Sequence, residues 1–503
     1  MMDGKSIIIV GAGLAGLATG CYAQMNGYRT QIFEHHATPG GVATAWKREG
    51  YTIDGGIHFL MGHKPGQAVY DGLYRELGAT QARPFLDMTI YGRFVDEVSG
   101  RSVSVTPDMD RLAGDLKAIS PADAGAIDEL IAGVRAMQGA GTAGMGMSKP
   151  PELMGVLDQI EQVWGMRRLF KYLSGKYARP VADYAQALHE PWLREFLKSL
   201  FLPEVPVWFI LMLLGLLADG QMGLLEGGSL DFVRSIEKRY KDLGGQVTYK
   251  ATVEEILVED DRAVGVRLAD GGERNADIVV SAADGYSTIF KMLGGRYVNQ
   301  KIVSRYQNWK LFCPLIMVSF GVAREFAGEP PLSMIALENP FTAGGQAIDR
   351  IAVRILNYSA AFAPPGKTVV QAAFETEWDF WNELQEDRPR YEAEKERVAA
   401  EVLARLEAHY PGISSLVEVT DVATPYTTWR YTLNHKGAYE GWLPTPEVII
   451  TQIERTLPGL ANFYMAGQWV IPGGGVPPCL YSGRHVAQIL CHRDGKPFST
   501  TSL

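Results

Sequence analysis

The apolar residues of this chain fall into unbroken blocks, helical stripes and one long uniform run. Ile7, Ile8, Ile9 and Val10 form a block with no polar residue inside it. A short, β-branched apolar block predicts a fully buried strand, here Ser6–Val10. Glycines follow, and then Leu14 to Asn26 carries Leu17, Cys21 and Met25 at helical spacing before Gly27. That predicts a helix with a glycine stop. Tyr28 to Phe33 predicts a second strand, ended by Glu34.

Later stretches repeat this alternation. Gly227-Gly228-Ser229-Leu230 predicts the start of a helix running to Asp242, and Gly244-Gly245 turns it into a strand at Val247–Tyr249. Ala251–Ile256 and Val264–Leu268 predict strands joined by a polar turn at Glu259–Arg262, and Ala276–Ala283 predicts another apolar strand. Ser120-Pro121-Ala122-Asp123 predicts a helix start. Glu392 to Tyr410 predicts a helix, with Val398, Val402 and Leu406 on one face and Pro411-Gly412 after it. Gln138–Pro151, rich in Gly, Met and Ala without a period, predicts a loop or lid. Within Pro203–Leu225, the run Val207–Ala218 is apolar all round. It reads either as a buried helix or as one that lines an apolar tunnel or dips into a membrane surface. A spanning helix needs about 20 residues, so no simple crossing is expected.

The glycines after the first strand carry chemistry. Gly11, Gly13 and Gly16 form Gly-x-Gly-x-x-Gly between a strand and a helix, and Glu34 closes the next strand 18 residues after Gly16. This is the β-α-β dinucleotide fingerprint in its required context. Gly11 allows the tight turn, Gly13 lets the backbone approach a pyrophosphate, and Gly16 lets helix and strand pack closely. The helix start, including Leu14 and Ala15, offers unpaired N–H groups to phosphate. Glu34 can accept hydrogen bonds from a ribose and disfavours a 2′-phosphate. His35 and His36 read as exposed strand-end residues without a role. No second fingerprint follows a strand, since Gly141, Gly144 and Gly146 have the wrong spacing.

Composition narrows the rest. The chain has 503 residues, 47% hydrophobic and 21% charged, which suits a globular protein of two or three domains. Its 48 basic and 57 acidic residues give a net charge of -9, which argues against a nucleic-acid partner. Four scattered cysteines form no Cys-x-x-Cys pair, so no metal site or disulfide framework is expected and a reducing, cytoplasmic setting is. No basic region precedes the first apolar run, which argues against a signal peptide.

The choice between NAD and FAD turns on the segment after the second strand. Pro39-Gly40-Gly41-Val42 comes first, and then Gly50-Tyr51-Thr52-Ile53-Asp54-Gly55-Gly56-Ile57-His58. Near the C-terminus stand Ala466-Gly467-Gln468, Pro472-Gly473-Gly474-Gly475-Val476-Pro477 and Ser482-Gly483-Arg484. On these residues the chain resembles the phytoene desaturase, carotenoid isomerase and retinol saturase group of FAD oxidoreductases, whose fold is that of amine oxidases and Rab-GDP-dissociation inhibitors.

The resemblance implies an α/β, two-domain protein: a Rossmann-like FAD-binding domain with an inserted substrate domain. The FAD domain would be discontinuous, over 1–80, 221–300 and 445–503. The substrate domain would take 81–220 and 301–444. The resemblance further implies FAD contacts at Gly40, Gly41, Val42, Gly56, Ile57, Gly467, Gln468, Gly475 and Val476, with the backbone at Val253 meeting the adenine. Gln468 departs from the pattern, since many relatives carry Asp there.

The activity implied is saturation, desaturation or cis-trans isomerisation of carbon–carbon bonds in a large apolar isoprenoid or polyene. Electrons would pass to or from a quinone, oxygen or another donor, unless the net reaction is redox-neutral. Such a substrate implies contact with a membrane surface. His58 is the candidate proton donor near the flavin; its other reading is a hydrogen-bonded core histidine. Cys479 reads as a covalent flavin link, a redox group or a small buried hydrophobe. Tyr426, Trp429, Tyr431 and Tyr439 read as a stacking surface for a polyene or an aromatic core. The rival functions are a flavin amine oxidase and a non-catalytic prenyl-lipid escort, against which the intact glycine set and Glu34 argue.

Overall fold

The computed structural model describes residues 4–81, 83–139, 148–167 and 169–501. A five-stranded parallel sheet forms one end of the molecule, in the order Gln246–Thr248, Arg29–Phe33, Ser6–Val10, Ile278–Ser281 and Phe463–Met465. Its strands come from three distant stretches of chain. Ser6–Val10 and Ile278–Ser281 are buried along almost their whole length, as apolar blocks in a parallel sheet must be. Helix Leu14–Met25 follows the first strand and is buried along most of its length.

Helix Val476–Arg493 packs on that first helix so closely that a Cβ at Gly483 would lie 2.6 Å from the Thr19 nitrogen and 2.7 Å from the Ala15 oxygen. The C-terminal segment is thereby held against the start of the Gly-rich turn. On the other face of the sheet, strands Val253–Glu259, Arg262–Leu268 and Glu273–Asn275 form a small antiparallel sheet.

A second, seven-stranded sheet is drawn from Gly92–Asp96, Arg101–Val105 and four strands between Leu315 and Glu375, with Val417–Ala423 at one edge. Its pairs are antiparallel except where Leu332–Ala343 lies parallel to Gly92–Asp96. Helix Arg388–His409 buries Tyr391, Val398, Val402 and Leu406 in the core under this sheet. It starts four residues earlier than its apolar stripe predicts. Asp387 accepts a hydrogen bond from the Arg390 nitrogen and Pro389 sits in the first turn, a cap that lies outside the stripe.

A helical layer spanning residues 109–218 has its own core. The predicted helix at Ser120 is a 3-10 turn, Pro121–Asp123, that leads into helix Ala124–Met137. Ser120 Oγ donates to Asp123 Oδ2 at 2.6 Å rather than capping an amide. The all-apolar run forms helix Val207–Ala218, followed by strand Met222–Leu225. No residue of the helix is exposed, so the reading that dips it into a membrane is corrected: it is wrapped by protein. Most of the predicted loop or lid at Gln138–Pro151, including Gly141, Gly144 and Gly146, lies outside the described residues. No described helix is long and apolar enough to cross a membrane.

Candidate functional site

The dinucleotide end is built where strand Ser6–Val10 stops. Gly11 has φ +97°, the left-handed region that favours glycine, and its nitrogen donates to the Phe33 oxygen at 2.8 Å. A Cβ at Gly16 would lie 2.0 Å from the Gly11 oxygen. The fold itself therefore demands both glycines. Gly13 is different. Its φ of -71° suits any residue, and a Cβ there would meet nothing nearer than the Gly40 oxygen at 3.9 Å. The protein makes no demand for glycine at 13, and the absence of a side chain there leaves the helix start open to a ligand. Gly13 also serves as the N-cap without a side-chain cap, so the first amides of the helix, from Leu14 to Gly16, lack intrahelical acceptors. Gly40 and Gly41, at φ +120° and +59°, face Gly13 across a short bridge.

Glu34 is buried and ties the turn together. Its Oε2 accepts from the Ala12 nitrogen and its Oε1 from the His36 nitrogen, both at 2.7 Å. Burial pushes this carboxyl up, against the opposing pull of the two amides. Each oxygen retains a second lone pair, enough acceptor capacity for a ribose hydroxyl. Strand Val253–Glu259 begins close by, with the Ala251 nitrogen donating to the Glu34 oxygen at 2.9 Å.

From here a cavity of about 1110 Å³ opens between the two sheets and the helical layer. Pockets for a single small molecule hold roughly 300–1,000 Å³, so this one lies just above the upper end of that range. Leu14, Gly41, Val42, Gly56, Ile57, His58, Gln468, Gly475 and Val476 all line it. Gly11, Gly13, Ala15, Gly16, Glu34, Gly40, Val253 and Gly467 do not; they stand behind or beside it. Gly467, at φ +101°, takes the Ser482 hydroxyl on its backbone, the nitrogen donating to Oγ at 2.8 Å, and packs on Ala15. Gly473, Gly474 and Gly475 all have positive φ and lead into helix Val476–Arg493.

The turn that presents His58 is held rigidly. The Asp54 carboxylate accepts from Ser229 and from the Gly56 nitrogen, and the Ile57 nitrogen donates to Ser229 Oγ at 2.7 Å. The Asp54 carbonyl accepts from Arg354 and Gln371 on the large sheet. The His58 ring has protein around it yet is solvent-exposed, because it faces the open cavity. It makes no hydrogen bond to another described residue, which removes the hydrogen-bonded core reading. Burial and then the Arg354 guanidinium push its imidazole down to about 3.

The sequence reading missed Glu440. Its carboxyl lines the cavity, 2.9 Å from where a Cβ on Gly474 would sit, and has no hydrogen-bond partner among the described residues. Burial alone pushes it up to about 8. No motif marks this residue, because its place depends on two loops meeting. Cys479 is pushed up to about 12 by burial and then by Glu440, which leaves an unreactive thiol. Tyr426, Tyr431 and Tyr439 line the cavity, while Trp429 packs on Tyr426 and Trp378. The lining also includes the apolar Phe59, Phe201, Trp208, Phe209, Met212 and Leu216. The core and tunnel readings of helix Val207–Ala218 thus describe two faces of one helix.

The expectation for His35 and His36 is corrected. Both are half-buried. His35 bonds to Thr252 Oγ1 at 2.7 Å and to the Arg430 oxygen at 3.1 Å, and His36 lines the cavity edge-on to Tyr431. The chain folds back over this strand end, which a local reading does not register. Among the described residues, no three His, Cys, Asp or Glu side chains are placed to hold a metal ion.

A parallel sheet with a phosphate-ready helix start, opening into a cavity walled by glycine loops and apolar side chains, defines an FAD-dependent oxidoreductase. The model of the flavin-containing amine oxidoreductase family matches residues 14–491, and the chain belongs to that family. Prolycopene isomerase of Arabidopsis thaliana is 25% identical over 95% of this chain and 81% of its own length. The lycopene-forming phytoene desaturase of Pseudescherichia vulneris is 24% identical over 97% and 99%. All-trans-retinol 13,14-reductase of Danio rerio is 21% identical over 92% and 82%. Among solved structures, an oxidoreductase from Methanosarcina mazei matches with TM-score 0.59 at 16% identity, over 96% of this chain and 100% of its own. Cyclohexylamine oxidase from Brevibacterium oxydans matches with TM-score 0.57 at 14% identity, over 98% and 100%. These structures share the fold.

Proposed function

We propose that this enzyme acts on carbon–carbon bonds of a large apolar polyene of carotenoid or retinoid type, by saturation, desaturation or isomerisation. The observation that carries this reading is the apolar lining of Phe59, Phe201, Trp208, Phe209, Met212 and Leu216, which shares one cavity with the Gly55–His58 turn and offers a long substrate an extended apolar surface. The relatives matched over nearly the whole chain carry isomerase, desaturase and reductase names, which favours this over an amine substrate.

Gly11–Gly16, Glu34, Gly40–Val42, Val253 and Gly467–Gln468 would hold the nucleotide part of FAD. Gly56, Ile57, Gly475 and Val476 would hold the ring. FAD bound there supplies hydride chemistry at carbon. We take residues 1–80, 221–300 and 445–503 as its domain, and 81–220 with 301–444 as the substrate domain.

The chain's own part is to position the substrate, exclude water and handle one proton. A histidine held near 3 is neutral at pH 7 and is a poor donor. Glu440, held near 8, keeps its proton there. We therefore assign proton donation to Glu440, with His58 as a neutral group at the turn. The electron partner would be a quinone or oxygen meeting the same cavity. A substrate of this kind is dissolved in bilayers, so the enzyme would work at a membrane surface.

The test is the visible spectrum of the purified protein, followed on adding a carotenoid or retinoid under anaerobic dithionite reduction. A flavin spectrum and a changed polyene absorption are expected. A flavin spectrum with no change in any polyene, but reduction by amines, would overturn the substrate class.

A further inference from the structure

One surface of the protein exposes apolar side chains in a pattern that belongs in a core. On helix Val156–Met166, the relative exposures are 72% for Val156, 82% for Leu157, 58% for Ile160, 52% for Val163 and 66% for Trp164. Their spacing places all five on one stripe of the helix. Phe170 extends the patch at 46%. Monomeric proteins seldom leave so continuous an apolar face to water without a use for it.

The other side of the same segment is cavity wall. Met154, Met166, Leu169 and Leu173 line the cavity, as does Ile450, which is itself 74% exposed. The segment is strapped in place where Arg455 NH1 donates to both Glu152 carboxylate oxygens at 2.9 Å. The segment that bears the apolar face thus also lines the cavity, and Ile450 belongs to both the lining and the exposed surface.

Charge points to the occupant. Residues 149–176 hold five Lys or Arg against three Asp or Glu, in a chain whose net charge is -9. Arg167 lies 4.6 Å over the Trp164 ring, and Lys171 lies 5.1 Å over Tyr172. Neither has an ion-pair partner among the described residues. Two unpaired cations beyond the C-terminal end of an apolar stripe, on an otherwise acidic molecule, match an anionic leaflet.

We propose that helix Val156–Met166, with Phe170 and Ile450, inserts into the interfacial region of a phospholipid bilayer and seats the cavity mouth on the membrane. The apolar stripe supplies the attachment, and Arg167 and Lys171 set its preference for anionic lipid. The proposal rests on the proposed function, a large apolar substrate, since that is what a mouth opened to acyl chains would admit.

The test uses the flavin-loaded protein and liposomes of phosphatidylcholine, alone or with phosphatidylserine at one part in five. Wild type is expected to float with both, more strongly with the anionic mixture, and to stay bound at high salt. The triple variant Leu157→Ser, Ile160→Ser, Trp164→Ser should lose binding by roughly tenfold or more to both. Its flavin spectrum should be unchanged, because these side chains are exposed. The double variant Arg167→Glu, Lys171→Glu should lose only the anionic preference.

Wild type that fails to float, or a triple variant that floats like wild type, overturns the proposal. So does light scattering that shows a wild-type dimer converted by the triple variant to a monomer without change in flotation; the face would then join two copies. Polyene turnover in detergent micelles separates this from the functional reading. Wild type inactive in micelles while flotation follows the stripe overturns the substrate, not the docking surface.

Discussion

Asp54 and Ser229, 175 residues apart, are joined twice: Ser229 Oγ donates to Asp54 Oδ1 at 2.6 Å, and the Ser229 nitrogen donates to Oδ2 at 3.0 Å. The same hydroxyl accepts from the Ile57 nitrogen. The first turn of helix Gly228–Asp242 thus fixes the backbone that carries His58 into the cavity. Ser229→Ala should strand the Ile57 amide and leave Asp54 Oδ1 with only the Gly56 nitrogen, at a cost of about 1–3 kcal/mol. Urea unfolding should show that loss together with weaker flavin retention. Stability and flavin content equal to wild type would mean the turn holds itself.

Gly13 and Gly16 should separate ligand binding from folding. Gly13→Val places its side chain in open space, so the apoprotein should fold with nearly normal stability and lack flavin. Gly16→Ala drives a methyl into the Gly11 carbonyl, so the fold itself should weaken by about 1–3 kcal/mol. Flavin absorbance per protein, measured beside thermal unfolding, checks both. A folded Gly13→Val protein with a full complement of flavin would remove the pyrophosphate from this turn.

Glu440→Gln should retain flavin and slow turnover by roughly 10²–10⁴-fold, the usual reach of general acid catalysis. Wild-type activity should fall as pH rises through about 8, and the variant should lose that limb. His58→Ala and His58→Gln should both keep flavin, with no titration between pH 5 and 8 attributable to the imidazole. If either His58 variant loses the proton-dependent step while Glu440→Gln does not, the roles are exchanged.

Stability should carry the same signature. The carboxyl of Glu440 rises from 4.5 to about 8 on folding, so between those values the folded state binds its proton more tightly than the unfolded chain. Its stabilising contribution is complete below about 4.5 and is lost as pH rises through about 8. The Tm of Glu440→Gln minus that of wild type should therefore increase across this window. A difference independent of pH would show that the carboxyl is solvated.

Cys479 should leave FAD unattached. Its thiol, held near 12, is protonated at working pH, so acid precipitation should release the flavin to the supernatant. Yellow colour retained in the pellet would restore the covalent reading.

The readable parts of this molecule were those with a local cause. Ser6–Phe33 was legible because block, glycines, stripe and acid follow one another within one β-α-β unit, and the structure differs by one residue only at the end of the helix and at the start of the second strand. Gly13 was legible for the same reason. Glu440 was not, because nothing near Tyr439 and Gly441 marks an acid as lying in a cavity; that follows from its meeting Gly474 in space. The stripe from Val156 to Trp164 has ordinary helical periodicity. Periodicity names a face without saying which medium covers it, and only the fold shows that this face points outward.

The parallel sheet also has a consequence in time. Its edge strand Phe463–Met465 and the helix Val476–Arg493 that seals the glycine turn leave the ribosome about 430 residues after the first β-α-β unit. At roughly 5–20 residues per second, the nascent chain carries an incomplete nucleotide cradle for some twenty seconds to over a minute. A chain without Val476–Arg493 would keep its whole N-terminal fingerprint and lack the helix that packs against it.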